Sequence, residues 1–101
     1  MITFRLNYPF QLQVNDERSG ENAQISLKLI SASRLMIPKG PDQCLIVIRL
    51  TDSEKKPIEM GFDGDFRFPN SKLVKSWGPW IISVIDMDFQ ATTVTLLVQK
   101  Q

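Results

Sequence analysis

The chain has 101 residues, 43% hydrophobic and 23% charged, and its 12 basic and 11 acidic side chains leave a formal net charge of +1. That length and balance describe one globular domain over residues 1–101, with no overall field to gather nucleic acid or an anionic membrane. Histidine is absent and Cys44 is the only cysteine, which removes serine–histidine and cysteine–histidine nucleophile pairs, histidine-ligated zinc and an internal disulfide.

Ile2, Phe4 and Leu6 alternate with Thr3, Arg5 and Asn7, the period-two pattern of a half-buried strand. This start lacks the apolar run and small-residue cleavage site of a secretory signal. The uncharged stretch 76–85 falls far short of the ~20 residues a membrane helix needs, so the expectation is a cytoplasmic protein. Phe10, Leu12 and Val14 resume the alternation after Tyr8-Pro9, residues 15–22 read as a polar loop, and Ile25, Leu27 and Leu29 mark the next strand.

Residues 33–39 offer an apolar lip, with Pro38 there and Pro41 beyond to discourage edge-to-edge pairing. Residues 44–50 are apolar on both faces over most of their length, the pattern of a central strand covered on both sides, with Cys44 as a small buried hydrophobe. A charged turn at 51–56 leads to Pro57, which opens a strand. Asp63-Gly64 then has the chemistry of a two-residue type I′ hairpin, with 65–68 as the return strand. Residues 71–78 read as a short helical turn or a loop. Residues 80–85 are again doubly apolar, 86–90 turn the chain, and Thr92, Val94, Leu96 and Val98 form a last strand. No helical stripe appears. The expected fold is an antiparallel β-sandwich of seven to eight strands, with a small β-barrel as the alternative.

Two acidic triplets, Asp63-Gly64-Asp65 and Asp86-Met87-Asp88, fall at predicted turns, and residues two apart in an extended segment point to one side. If the turns met, four carboxylates could supply part of a calcium shell; the preference of tight turns for Asp is the favoured explanation of both. No metal, cofactor or catalytic group is expected. Asp52, Glu54, Asp63, Asp65, Asp86 and Asp88 form an acidic surface suited to a basic partner such as a nuclease.

The run 66–80 holds Phe66, Arg67, Phe68, Lys72, Lys75, Trp77 and Trp80 and no acid. Interleaved rings and cations suit single-stranded nucleic acid, where bases stack and phosphates pair, but the net charge counts against it. The same residue types dominate protein interfaces. Trp80 heads an apolar strand and belongs to the core, which leaves Trp77 as the presented indole, with Phe66, Arg67, Phe68, Lys72 and Lys75 around it. The expected function is a non-enzymatic protein-binding module. An inhibitor or toxin-neutralising immunity-type protein that covers a partner's active site fits best, as a monomer or homodimer without a membrane segment.

Overall fold

The computed structural model describes residues 3–20, 24–36, 38–40, 43–52, 55–65, 73–88 and 90–101. Among them the chain forms nine strands: β1 (Thr3–Phe4), β2 (Phe10–Gln13), β3 (Glu17–Gly20), β4 (Ile25–Leu35), β5 (Gln43–Asp52), β6 (Lys55–Asp65), β7 (Val74–Trp77), β8 (Trp80–Asp88) and β9 (Thr93–Lys100). One sheet has the order β1-β3-β4-β5-β6 and the other β2-β9-β8-β7. Neighbours are antiparallel except β1, which lies parallel to β3. The two sheets pack together as an all-β sandwich around one shared core. Among the described residues no helix is long and apolar enough to cross a membrane.

Alternation builds that core. Ile25, Leu27 and Leu29 of β4, Ile46, Ile48 and Leu50 of β5, and Phe62 of β6 face Leu12 of β2, Ile82 and Val84 of β8, and Val94, Leu96 and Val98 of β9. Among the described residues no polar side chain is buried and no buried side-chain nitrogen or oxygen lacks a hydrogen-bond partner. Burial of aliphatic surface therefore supplies the cohesion, at roughly 25 cal/mol per Å².

Two bulges keep the alternation in phase. In β4 the register to β5 shifts between Leu29 and Ser31, so Ile30 is the extra residue and Ala32 falls on the core side opposite Ile46. In β8 it shifts between Val84 and Asp86, so Ile85 is the extra residue and Met87 turns inward while Asp86 and Asp88 are exposed. A strict period of two would have sent both aspartates into the core.

Several sequence expectations change. Strands β5 and β8 do occupy interior positions in their sheets, but each is covered on one face only. Leu45 is 45% exposed beside the fully buried Ile46, and Ile81 and Ile85 are half-buried. Asp63-Gly64 is no hairpin: the β5–β6 turn lies at Asp52↔Lys55, and β6 then pairs onward to Gln43↔Asp65. A strand already running antiparallel has no need of a turn there. The strand begins two residues before Pro57, which sits beside the ladder irregularity between Leu50 and Asp52 on an edge strand, where a missing N–H is tolerated.

Residues 17–20 and 74–77 are strands rather than loop or helical turn, and the triplet 86–88 belongs to β8 rather than to a turn. Among the described residues of the expected first strand, Thr3–Phe4 pair as a strand; the chain then turns through Asn7, at φ 68°, and Phe4 and Phe10 stack at 4.4 Å. Of the expected return strand at 65–68, Asp65 closes β6 and the rest lies outside the described residues, as do residues 53 and 54 of the charged turn at 51–56, whose other residues belong to β5 and β6.

The one-sided covering is testable by neighbouring truncations on β5. Ile46→Ala should cost about 2–5 kcal/mol in urea unfolding, as fully buried large-to-small changes do, whereas Leu45→Ala should stay within about 1 kcal/mol. Equal losses at the two positions would mean that the outer face of β5 is covered too.

Candidate functional site

The β7–β8 hairpin orients the residues singled out by sequence. Trp77 pairs with Trp80 across Gly78-Pro79, and Gly78 has φ 61°. A proline ring fixes φ near −65°, so the turn has the II′ pattern, with its positive φ at the glycine alone. From that turn the alternation runs back through β7: Lys75 and Trp77 face inward, Val74 and Ser76 outward.

Trp77 is half-buried and packs on the core instead of standing out on a loop. Lys75 donates from Nζ to the Gly61 carbonyl at 2.5 Å and lies 5.7 Å from the Phe62 ring. It thereby ties the edge of one sheet to the edge of the other. Phe66, Arg67, Phe68 and Lys72 lie outside the described residues.

The acidic residues do not assemble. Asp63 and Asp65 belong to β6, Asp86 and Asp88 to β8 in the opposite sheet, and Glu54 is outside the described residues. Among the described residues no three acidic or cysteine side chains gather as a metal shell. Asp52 accepts the indole N–H of Trp80 at 2.9 Å. Asp86 accepts the Met87 N–H at 2.8 Å, and Asp88 accepts from the backbone of Gln90 and Ala91, the Asx-turn chemistry that closes the β8–β9 connection.

The outer faces of the two sheets differ in charge. On the five-stranded sheet Glu17 lies opposite Lys28, Lys28 opposite Arg49, and Arg49 opposite Glu59, the last pair bridged at 3.0 Å. On the four-stranded sheet the rows Ser76–Ile81–Gln99 and Val74–Ser83–Leu97 contain no charged residue, and Val74 is 46% exposed. Beside them the rows Asp86–Thr95–Gln11 and Asp88–Thr93–Gln13 add two exposed carboxylates along one margin. Sequence reading passed over Val74 because 71–78 read as a helical turn or a loop, and over Ile81 because 80–85 read as covered on both faces.

A cleft of about 290 Å³ opens at the end of the sandwich that carries Trp80. The β1–β2 connection contributes Arg5, Leu6, Asn7 and Tyr8, the start of β4 contributes Ile25 with Gln24 before it, and Gly20 and Trp80 complete the lining. The Arg5 guanidinium stacks 4.4 Å from the Tyr8 ring centre. Lys100 stands 5.5 Å from the Trp80 ring and 3.5 Å from the Gln24 side-chain oxygen. None of these residues except Trp80 stood out in sequence. The available signal was Tyr8, the only tyrosine, held 55% exposed beside a left-handed Asn7; the convergence itself is tertiary.

No family model matches this chain, and neither a curated protein nor a solved structure matches it.

The Trp80–Asp52 bond joins the two sheets at the cleft end, with the indole 2% exposed. Asp52→Ala would leave that donor without its acceptor, so thermal or urea unfolding should show a loss of about 1–3 kcal/mol. Asp52→Asn, which keeps an acceptor oxygen, should recover part of it. A neutral Asp52→Ala would mean that the bond adds nothing to the sheet–sheet contact.

Proposed function

We propose that this chain is a non-enzymatic binding module that docks another protein on the outer face of its four-stranded sheet. The observation that carries the reading is the uncharged patch of Val74, Ser76, Ile81, Ser83, Leu97 and Gln99, in a chain that is 23% charged and whose other sheet is laced with charge. Depletion of charge at the centre is the compositional mark of an interface, and a flat face of mixed aliphatic and small polar residues packs against a matching surface with little desolvation cost.

The margin favours a basic partner. Asp86 and Asp88 face outward beside the patch, so the fitting surface has an apolar centre and a basic rim. Rim carboxylates speed encounter and fix orientation while the aliphatic centre supplies affinity. An inhibitor or immunity-type protein of the cytoplasm that occludes a basic partner, such as a nuclease, is the role this combination supports best. The docking surface thus moves from Lys75 and Trp77 to the residues between and beside them.

Leu97→Lys places a charge at the centre of the patch without touching the core. Partner affinity, measured by calorimetry or surface plasmon resonance on a partner recovered with the wild-type chain, should fall at least about tenfold. Asp86→Lys with Asp88→Lys should mainly slow association and abolish its salt dependence. Leu45→Lys, on the opposite sheet, should change neither. Equal binding by the Leu97→Lys and Leu45→Lys variants would overturn the assignment of this face. A wild-type dimer that Leu97→Lys turns into a monomer would give the face to a second copy of the chain.

A further inference from the structure

A second recess, of about 230 Å³, opens past the acidic margin, at the far end of β9 from the Trp80 cleft. Gln11 and Gln13 of β2, Asp16 of the β2–β3 turn, Arg18 of β3 and Thr93 of β9 line it. We propose that it binds a neutral sugar ring. The proposal is independent of the docking patch. It stands on two opposite charges, not joined to each other, in a wall that is polar throughout. Asp16 and Arg18 are half-buried, and among the described residues no ion pair joins Arg18 to Asp16 or to another carboxylate. Asp88 stands one strand beyond Thr93 and accepts the Gln90 and Ala91 N–H groups. Glu17 lies opposite Lys28 on the outer face of the other sheet.

That set of groups selects by exclusion. An anion would meet the Asp16 and Asp88 carboxylates, and a cation would meet the Arg18 guanidinium. An apolar ligand would find no apolar side chain in the wall. An extended peptide cannot pair along the free edge of β2. There Asp16 takes the Gln13 N–H on its carboxylate at 3.1 Å and donates its own N–H to the Gln13 carbonyl at 2.9 Å. Pro9 has no N–H, and every second residue of a strand faces one neighbour, so Gln11 alone keeps a free ladder position. A sugar hydroxyl both donates and accepts. Adjacent hydroxyls accept two N–H groups from the planar guanidinium and donate to the remaining lone pairs of Asp16, with the glutamine amides and the Thr93 hydroxyl for the others. The turns framing the recess hold left-handed residues, Asn15 at φ 76° and Thr92 at φ 52°. Strain of that kind in a β-branched residue gathers at ligand sites.

The test is a titration of the whole ¹⁵N-labelled chain, followed in its backbone amide, indole and arginine Nε–H resonances. The probes are glucose, galactose and mannose, their methyl α-glycosides, cyclohexanol, sodium acetate and guanidinium chloride. At least one sugar should shift the amides of residues 11–18 and 92–93 and the Arg18 Nε–H saturably, and leave both indoles unmoved. Arg18→Met, which removes the donors and keeps the stem, should weaken that sugar about tenfold, and Asp16→Asn at least about threefold. Leu97→Lys should have no effect. Unchanged amide shifts in β5 and β6 would show both recess variants folded. Tighter binding of a methyl glycoside would assign the ring to the end of a glycan, and tighter binding of the unmodified form to a free sugar. No saturable shift with any sugar up to about 50 mM, an equal response to cyclohexanol, tighter binding of acetate or guanidinium, or indifference to Arg18→Met would each overturn the proposal.

Discussion

Strict alternation between a core side and a solvent side governs this molecule, and the two bulges are what allow the chain to obey it. Ile30 and Ile85 are each the extra residue that moves the following strand segment by one position. Past Ile85 the shift keeps Met87 in the core and puts Asp86 and Asp88 in water. Burying an unpaired carboxylate costs far more than interrupting a ladder locally, so the sheet yields at the isoleucine rather than at the aspartates. The acidic margin on the outer face of the four-stranded sheet is therefore a product of the same residue that protects the core.

The sides of the sandwich, where the two sheets diverge, need different solutions. On one side the Phe4–Phe10 stack, together with the backbone exchange of Asn15 and Asp16 with Leu29, joins the first strands of the two sheets. On the other, an inward lysine reaches across: Lys75 bonds to an edge carbonyl of β6 while its ammonium lies 5.7 Å from the Phe62 ring. A lysine suits this position because its aliphatic stem can lie along apolar surface while the ammonium meets a polar group at the rim.

That solution also explains where sequence reading failed. The long strands were legible because their core-side residues are uniformly aliphatic, as in Ile25, Leu27 and Leu29 or Val94, Leu96 and Val98. Strands β3 and β7 were not, because their core-side positions hold Arg18 and Gly20 in one and Lys75 and Trp77 in the other. Gly20 has no side chain to register, yet it is buried, and a β-carbon there would lie in ordinary contact with Phe4 and Ile25. Apolarity on both faces of β5 and β8 was read as two-sided burial, whereas the outer residues, Leu45 and Ile81 among them, remain accessible. The fold class survives such errors because it depends on the number and spacing of strands. The candidate sites do not survive them, because they depend on which of two faces a residue occupies and on which ends of the sheets coincide.

The position of β9 carries a consequence for how the chain is made. It lies between β2 and β8 in its sheet, and its register with β2 joins Phe10 to Leu96 and Gln13 to Thr93. Until this late segment leaves the ribosome, β2 has no neighbour in its own sheet and the aliphatic faces of β4 and β5 have only part of their cover. Closing so long a loop is slow and is rewarded only at the end. During synthesis the emerging chain thus exposes much of its apolar stripe until β9 inserts between β2 and β8.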